Sequence, residues 1–154
     1  MILEAQGKLS VAQAVTFAAA EISENVINIG TVEDAPDDMW IDIETAVKAS
    51  GSGAITIDLV VALEAALTNV SKILSIVIAA GTDKRILTAG AHVLGCSIPR
   101  EVRELAASLG YDYLGLIYTC TSSLAVSFNA AISPSKPRTK DGTQVNTSNV
   151  GVPA

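Results

Sequence analysis

The chain has 154 residues, of which 49% are hydrophobic, 4% aromatic and 17% charged. That is one domain's length with enough apolar side chain for a core, which excludes disorder of the whole chain. Sixteen acids against ten bases leave a net charge of −6, so nucleic acid is a poor ligand, because phosphate binding needs a basic face. The small share of charge points to surface laid against a partner.

Charge is unevenly spread: residues 1–64 carry net −9, residues 65–132 net +1 and residues 133–154 net +2. The longest apolar stretch, Ala54–Leu67, is broken by Asp58 and Glu64. The run Ile73–Ala80 falls well short of the roughly 20 residues a membrane helix needs. The opening MILEAQGKLS has no basic start followed by an apolar block, so a secretory signal is not expected.

In chain order, strands are expected at Ala14–Ala19, Asn25–Ile29, Met39–Val47, Ala54–Val61, Ile73–Ala79, Lys84–Thr88, Tyr113–Thr119 and Leu124–Ile132. Several alternate with period two: Ile41 and Ile43 share a face, as do Ile55, Ile57 and Leu59. Ser50-Gly51-Ser52-Gly53 reads as a hairpin turn and Thr121-Ser122-Ser123 as turn chemistry. From Leu59 to Leu74 apolar residues also fall at helical spacing, so a loop with one helical turn is expected after the Ile55 strand. Val102, Leu105, Ala106 and Leu109 form a helical face between Pro99 and Gly110, which predicts a short helix. The acids Glu33, Asp34, Asp37, Asp38, Asp42 and Glu44 cluster around Pro36. They lack the glycine and the twelfth-position glutamate of an EF-hand and read as a solvated acidic loop. The tail from residue 133 to 154 holds three prolines and cannot fold alone; an extended arm is expected.

Six to eight short strands at this spacing predict a mainly β fold, an antiparallel sandwich or barrel. One domain is expected over 1–132, with an arm over 133–154.

Reaction chemistry is sparse. His92 is the only histidine and sits in Gly90-Ala91-His92-Val93-Leu94, where a structural role is expected. With Cys96 and Cys120 it makes three candidate zinc ligands in all, against the three or four Cys and His residues that such sites use. Two free thiols are expected. Gly51-Ser52-Gly53 lacks the lysine and following helix of a phosphate cradle. The aromatics do not interleave with bases, so a single-strand stacking platform has no support. No cofactor, no metal and no catalysis are expected; the chain reads as a binding or structural part.

The string Met1-Ile2-Leu3-Glu4-Ala5-Gln6-Gly7-Lys8-Leu9-Ser10-Val11-Ala12-Gln13-Ala14-Val15-Thr16, followed by Glu24-Asn25-Val26-Ile27-Asn28-Ile29-Gly30, resembles the opening of the jelly-roll capsid cement, or decoration, proteins of tailed double-stranded DNA bacteriophages. Gly53–Leu59, Ser97-Ile98-Pro99-Arg100 and the strand Leu124–Ile132 continue the likeness over roughly 1–132. The resemblance implies a virion protein on the capsid exterior, present in the host cytoplasm during assembly. Its partners would be the major capsid protein and further copies of itself, as a homodimer or homotrimer on local symmetry axes. Lys136, Arg138, Lys140, Val145 and Val150 in the arm are the expected contacts to capsid or neighbouring copy. Two alternatives stand beside it: another head or tail accessory protein, or a carbohydrate-binding β-sandwich module, for which Trp40, Tyr111 and Tyr113 would line the groove.

Overall fold

The computed structural model describes residues 8–16, 20–29 and 39–133. In chain order these form β1 (Lys8–Thr16), β2 (Glu21–Ile22), β3 (Ile27–Asn28), β4 (Met39–Ser50), β5 (Ala54–Ala62), β6 (Val70–Ala79), α1 (Lys84–Leu87), β7 (His92–Ile98), α2 (Arg100–Ser108), β8 (Tyr113–Cys120) and β9 (Ala125–Ser133).

One sheet runs β1-β9-β4-β7; the other runs β2-β8-β5-β6, with β3 also on β8. All pairings are antiparallel. Since β2 and β3 lie end to end on β8, they act as one broken strand. Eight strands in this order make a jelly roll, two four-stranded sheets in which every connection except β5–β6 crosses between layers.

The alternation read from the sequence sets the core. Ile41 and Ile43 of β4, Ile55, Ile57 and Leu59 of β5, Leu116 and Tyr118 of β8, and Phe128 and Ile132 of β9 are all buried in one cluster between the sheets. Tyr118 and Phe128 come from opposite sheets and stack with ring centroids 5.4 Å apart. The Tyr118 hydroxyl stands 2.9 Å from Ser10 Oγ, which donates to Gln13 Oε1 at 2.6 Å. Gln13 Nε2 donates in turn to the Ile22 carbonyl at 2.7 Å. The phenol thus finds a polar partner inside an apolar layer.

A second, smaller cluster lies on the outer face of the β2-β8-β5-β6 sheet. Val60, Ala62 and Leu67 are buried there, with Val70, Tyr113 and Ile117 packed on them. The β5–β6 loop covers this face. It turns through the Leu67 N–H to Glu64 carbonyl bond (3.0 Å), and Leu67 takes a left-handed φ of 53°. The expected loop is present, but it closes in a hydrogen-bonded turn and not a helical one, and β6 starts at Val70 rather than Ile73.

Three expectations need correction. Ser50–Gly53 is no hairpin turn: β4 and β5 belong to different sheets, and the segment carries the chain from one to the other. The 121–123 turn crosses at the same end, and the two are stitched by Ala54 N–H to Thr121 Oγ1 (2.9 Å) and Ser52 N–H to Ser123 Oγ (3.2 Å). Lys84–Leu87 is helical, not a strand. Asp83 caps it, accepting from the Arg85 N–H at 3.0 Å, and this turn alone suffices to bury Ile86. His92–Ile98 is a strand that the reading from sequence left out.

Helix α2 starts after Pro99 and stops at Gly110 as expected. Tyr111 N–H bonds to the Ala106 carbonyl (2.9 Å) and Gly110 N–H to that of Ala107 (3.0 Å), with Gly110 at φ 87°. This is a Schellman stop. Its inward stripe is Val102, Arg103 and Ala106, however, and Leu105 and Leu109 face solvent.

Candidate interaction surface

Jelly rolls leave two kinds of surface for recognition: the sheet faces, and the ends and edges where loops gather. The outer face of the β1-β9-β4-β7 sheet holds a shallow groove of about 360 Å³, lined by Lys8, Ser10, Val11, Asp42, Glu44, Asn129, Ala130 and Ala131. Its floor is β9, where alanines keep the surface low. One wall is β1, made irregular by register shifts between Lys8 and Gln13 with Ala12 at φ 48°. The other wall is β4, whose period of two puts Asp42 and Glu44 on the same side.

Hydrogen bonds hold these groups. Ala12 N–H donates to Asn129 Oδ1 at 2.7 Å, and Asn129 Nδ2 donates to Glu44 Oε1 at 3.3 Å. Asp42 Oδ1 lies 3.0 Å from His92 Nδ1, because β4 and β7 pair Asp42 with Gly95 and Glu44 with His92 across a bulge. His92, for all its apolar sequence neighbours, is 54% exposed and oriented by a carboxylate. The one hydroxyl in the groove lining, that of Ser10, is turned inward to Gln13 and Tyr118. Among the described residues no three His, Cys, Asp or Glu side chains gather closely enough to hold a metal ion.

Cys96 and Cys120 are free thiols, on β7 of one sheet and β8 of the other. Burial pushes the Cys96 thiol up, and pushes Cys120 up to about 11. Neither is an activated nucleophile, which would need a depressed pKa. Burial likewise pushes the Tyr118 phenol up to about 12, opposed in part by its bond to Ser10.

Apolar surface gathers elsewhere. Leu105 on α2 and Leu109 just past its end, four residues apart, are each 62% exposed. Leu63, also exposed, stands at the same end: its Cδ2 lies 3.7 Å from where a Cβ on Gly110 would be. On β6, Val77 is 66% exposed.

The proposed arm contacts Lys136, Arg138, Lys140, Val145 and Val150 lie outside the described residues, as do Glu33, Asp34, Asp37 and Asp38. Of the three aromatics proposed for a sugar groove, Trp40 is on β4 and Tyr113 on β8 in the other sheet, while Tyr111 packs on the main core. The structure does not bring them to one face. Sequence reasoning missed the leucine end. The signal is the i, i+4 spacing of Leu105 and Leu109, but spacing alone does not say whether an apolar helical stripe faces the core or solvent.

No family model matches this chain, and no curated protein matches it in sequence. The fold and surface define an antiparallel jelly roll with a shallow polar face and one end bearing exposed leucines.

Proposed function

We propose that this chain is a structural virion protein, a cement protein. It binds the outer surface of a phage icosahedral capsid, bridges neighbouring major capsid proteins and offsets the pressure of packaged DNA. Three things support the reading: the jelly-roll strand order, the likeness of the N-terminal string, and the exposed aliphatic end. The last carries it. Leu63, Leu105 and Leu109 are large side chains that cost free energy in water and gain it against a partner. Repeated seating on a symmetric shell turns such modest contacts into tight retention.

Adding purified chain to expanded heads that lack it tests the reading. Saturable binding at a fixed number of copies per head is expected; full recovery in the unbound fraction would overturn it.

The groove beside Asp42, Glu44 and Asn129 favours a second reading, a carbohydrate-binding module. Carboxylates and an amide there share a sheet face with Trp40, two residues from Asp42. Selective binding on a glycan array, lost in Asp42→Asn, would establish it.

A further inference from the structure

We propose that the chain pairs with a second copy of itself through the edge of β6, strand against strand, to make one continuous sheet across two molecules. A free sheet edge is a row of unpaired N–H and C=O groups, and folded proteins usually blunt it. Three of the four edges here carry a visible device. On β1, Ala12 is turned to a left-handed φ of 48°. The same strand gives its Lys8 and Leu9 carbonyls to Asn25, at 3.0 Å each. The edge made by β2 and β3 is broken at Ser23, whose hydroxyl accepts from the Leu116 N–H at 3.1 Å. On β7, the Arg85 guanidinium donates to the Val93 carbonyl at 3.3 Å.

The fourth edge is β6. Among the described residues its one hydrogen-bonded neighbour is β5. A register shift at Ile73 disturbs its first half, but Leu74–Ala79 pairs regularly with Leu59–Ala54. That stretch, Leu74-Ser75-Ile76-Val77-Ile78-Ala79, contains no charge, no proline and no glycine. The core is also thin on this side. Ile73, Leu74 and Ile76, with Leu94 and Cys96 of β7, are only partly buried, so a second molecule laid here covers apolar surface that solvent now reaches.

The pattern suits a copy of itself. Leu74, Ile76 and Ile78 sit opposite the core-facing Leu59, Ile57 and Ile55, while Ser75 and Val77 sit opposite Asp58 and Thr56. Antiparallel pairing about Ile76 sets Leu74 against Ile78 of the second copy and Ser75 against its Val77. Each face then meets its own kind, and no like charges are opposed. The inference rests on this edge alone and holds whether or not the chain is a cement protein.

Sedimentation of the full chain from micromolar to millimolar concentration tests it. A monomer–dimer equilibrium is expected, lost in Val77→Lys, which puts a charge on the edge at an exposed position, and kept in Leu105→Lys on α2. A monomer throughout, or a dimer that survives Val77→Lys, would overturn the proposal. Mixing Ser75→Cys with Val77→Cys protein under mild oxidation gives a check that does not depend on that variant's folding. Mass spectrometry should find a disulfide joining positions 75 and 77 between chains, and its absence would count against this pairing.

Discussion

At the scale of single residues, two constraints are sharp enough to test. Gly53 has φ 122°, and a Cβ there would stand 2.2 Å from the Thr121 carbonyl oxygen; Gly51, at φ 82°, meets Ser123 in the same way. Both glycines let the two sheet-crossing turns touch backbone to backbone. Gly53→Ala is expected to lower stability by about 2 kcal/mol or more, from strain at positive φ and the displaced turn, read by denaturant melts. The second constraint is protonic. The folded chain holds the Tyr118 proton up to about 12 against an ordinary 10.0, and the Cys120 proton up to about 11 against 9.0. A group that binds its proton more tightly when folded adds stability that is complete below its unfolded pKa and lost as pH climbs through the folded one. Melting temperature should therefore fall steadily from pH 9 towards 12, and Tyr118→Phe should flatten the part above pH 10. A third test lies on the outer face, where Asp58 is buried with Oδ2 3.1 Å from the Lys72 ammonium. Lys72→Met strands that carboxylate; because Lys72 is 59% exposed, solvent screens the pair and the expected loss is about 1 kcal/mol.

At the scale of elements, legibility followed how strictly a segment kept its period. Strands β4, β5, β8 and β9 place buried apolar residues at every second position, and each was readable to within a few positions because one face must be buried. Strand β7 keeps the same period through Leu94, Cys96 and Ile98. It was hidden because Gly95 and two small side chains lower its β-propensity. The Lys84–Leu87 segment misled in the opposite sense: two apolar residues after two basic ones fit a strand as well as a turn, and only the Asp83 cap decides. The groove was half legible, since the spacing of Asp42 and Glu44 fixes their common face. Its pairing with His92 depends on the long-range register of β4 and β7, which no local pattern encodes. Ile57→Asp is a test of the element assignment itself. Ile57 is buried between β6 and β8 in the middle of its sheet, and an unpaired charge there costs several kcal/mol, about the whole stability of a small domain. Circular dichroism should show an unfolded or aggregated chain.

At the scale of the whole molecule, the sandwich closes three edges, leaves the β6 edge open among the described residues, and carries aliphatic side chains where a neighbour can cover them. Residues 134–154 follow directly on β9 and add three bases to an otherwise acidic chain. If they serve as an arm, removing them should leave the melting temperature unchanged and weaken retention on heads. The most direct measurement of the central claim, passive binding to a capsid, compares wild-type chain with Leu105→Asp/Leu109→Asp on expanded heads by quantitative cosedimentation. Wild type should saturate at a fixed copy number and the variant, folded normally, should remain in solution. Wild-type chain that never sediments with heads, or a variant that binds as well as wild type, would contradict the account.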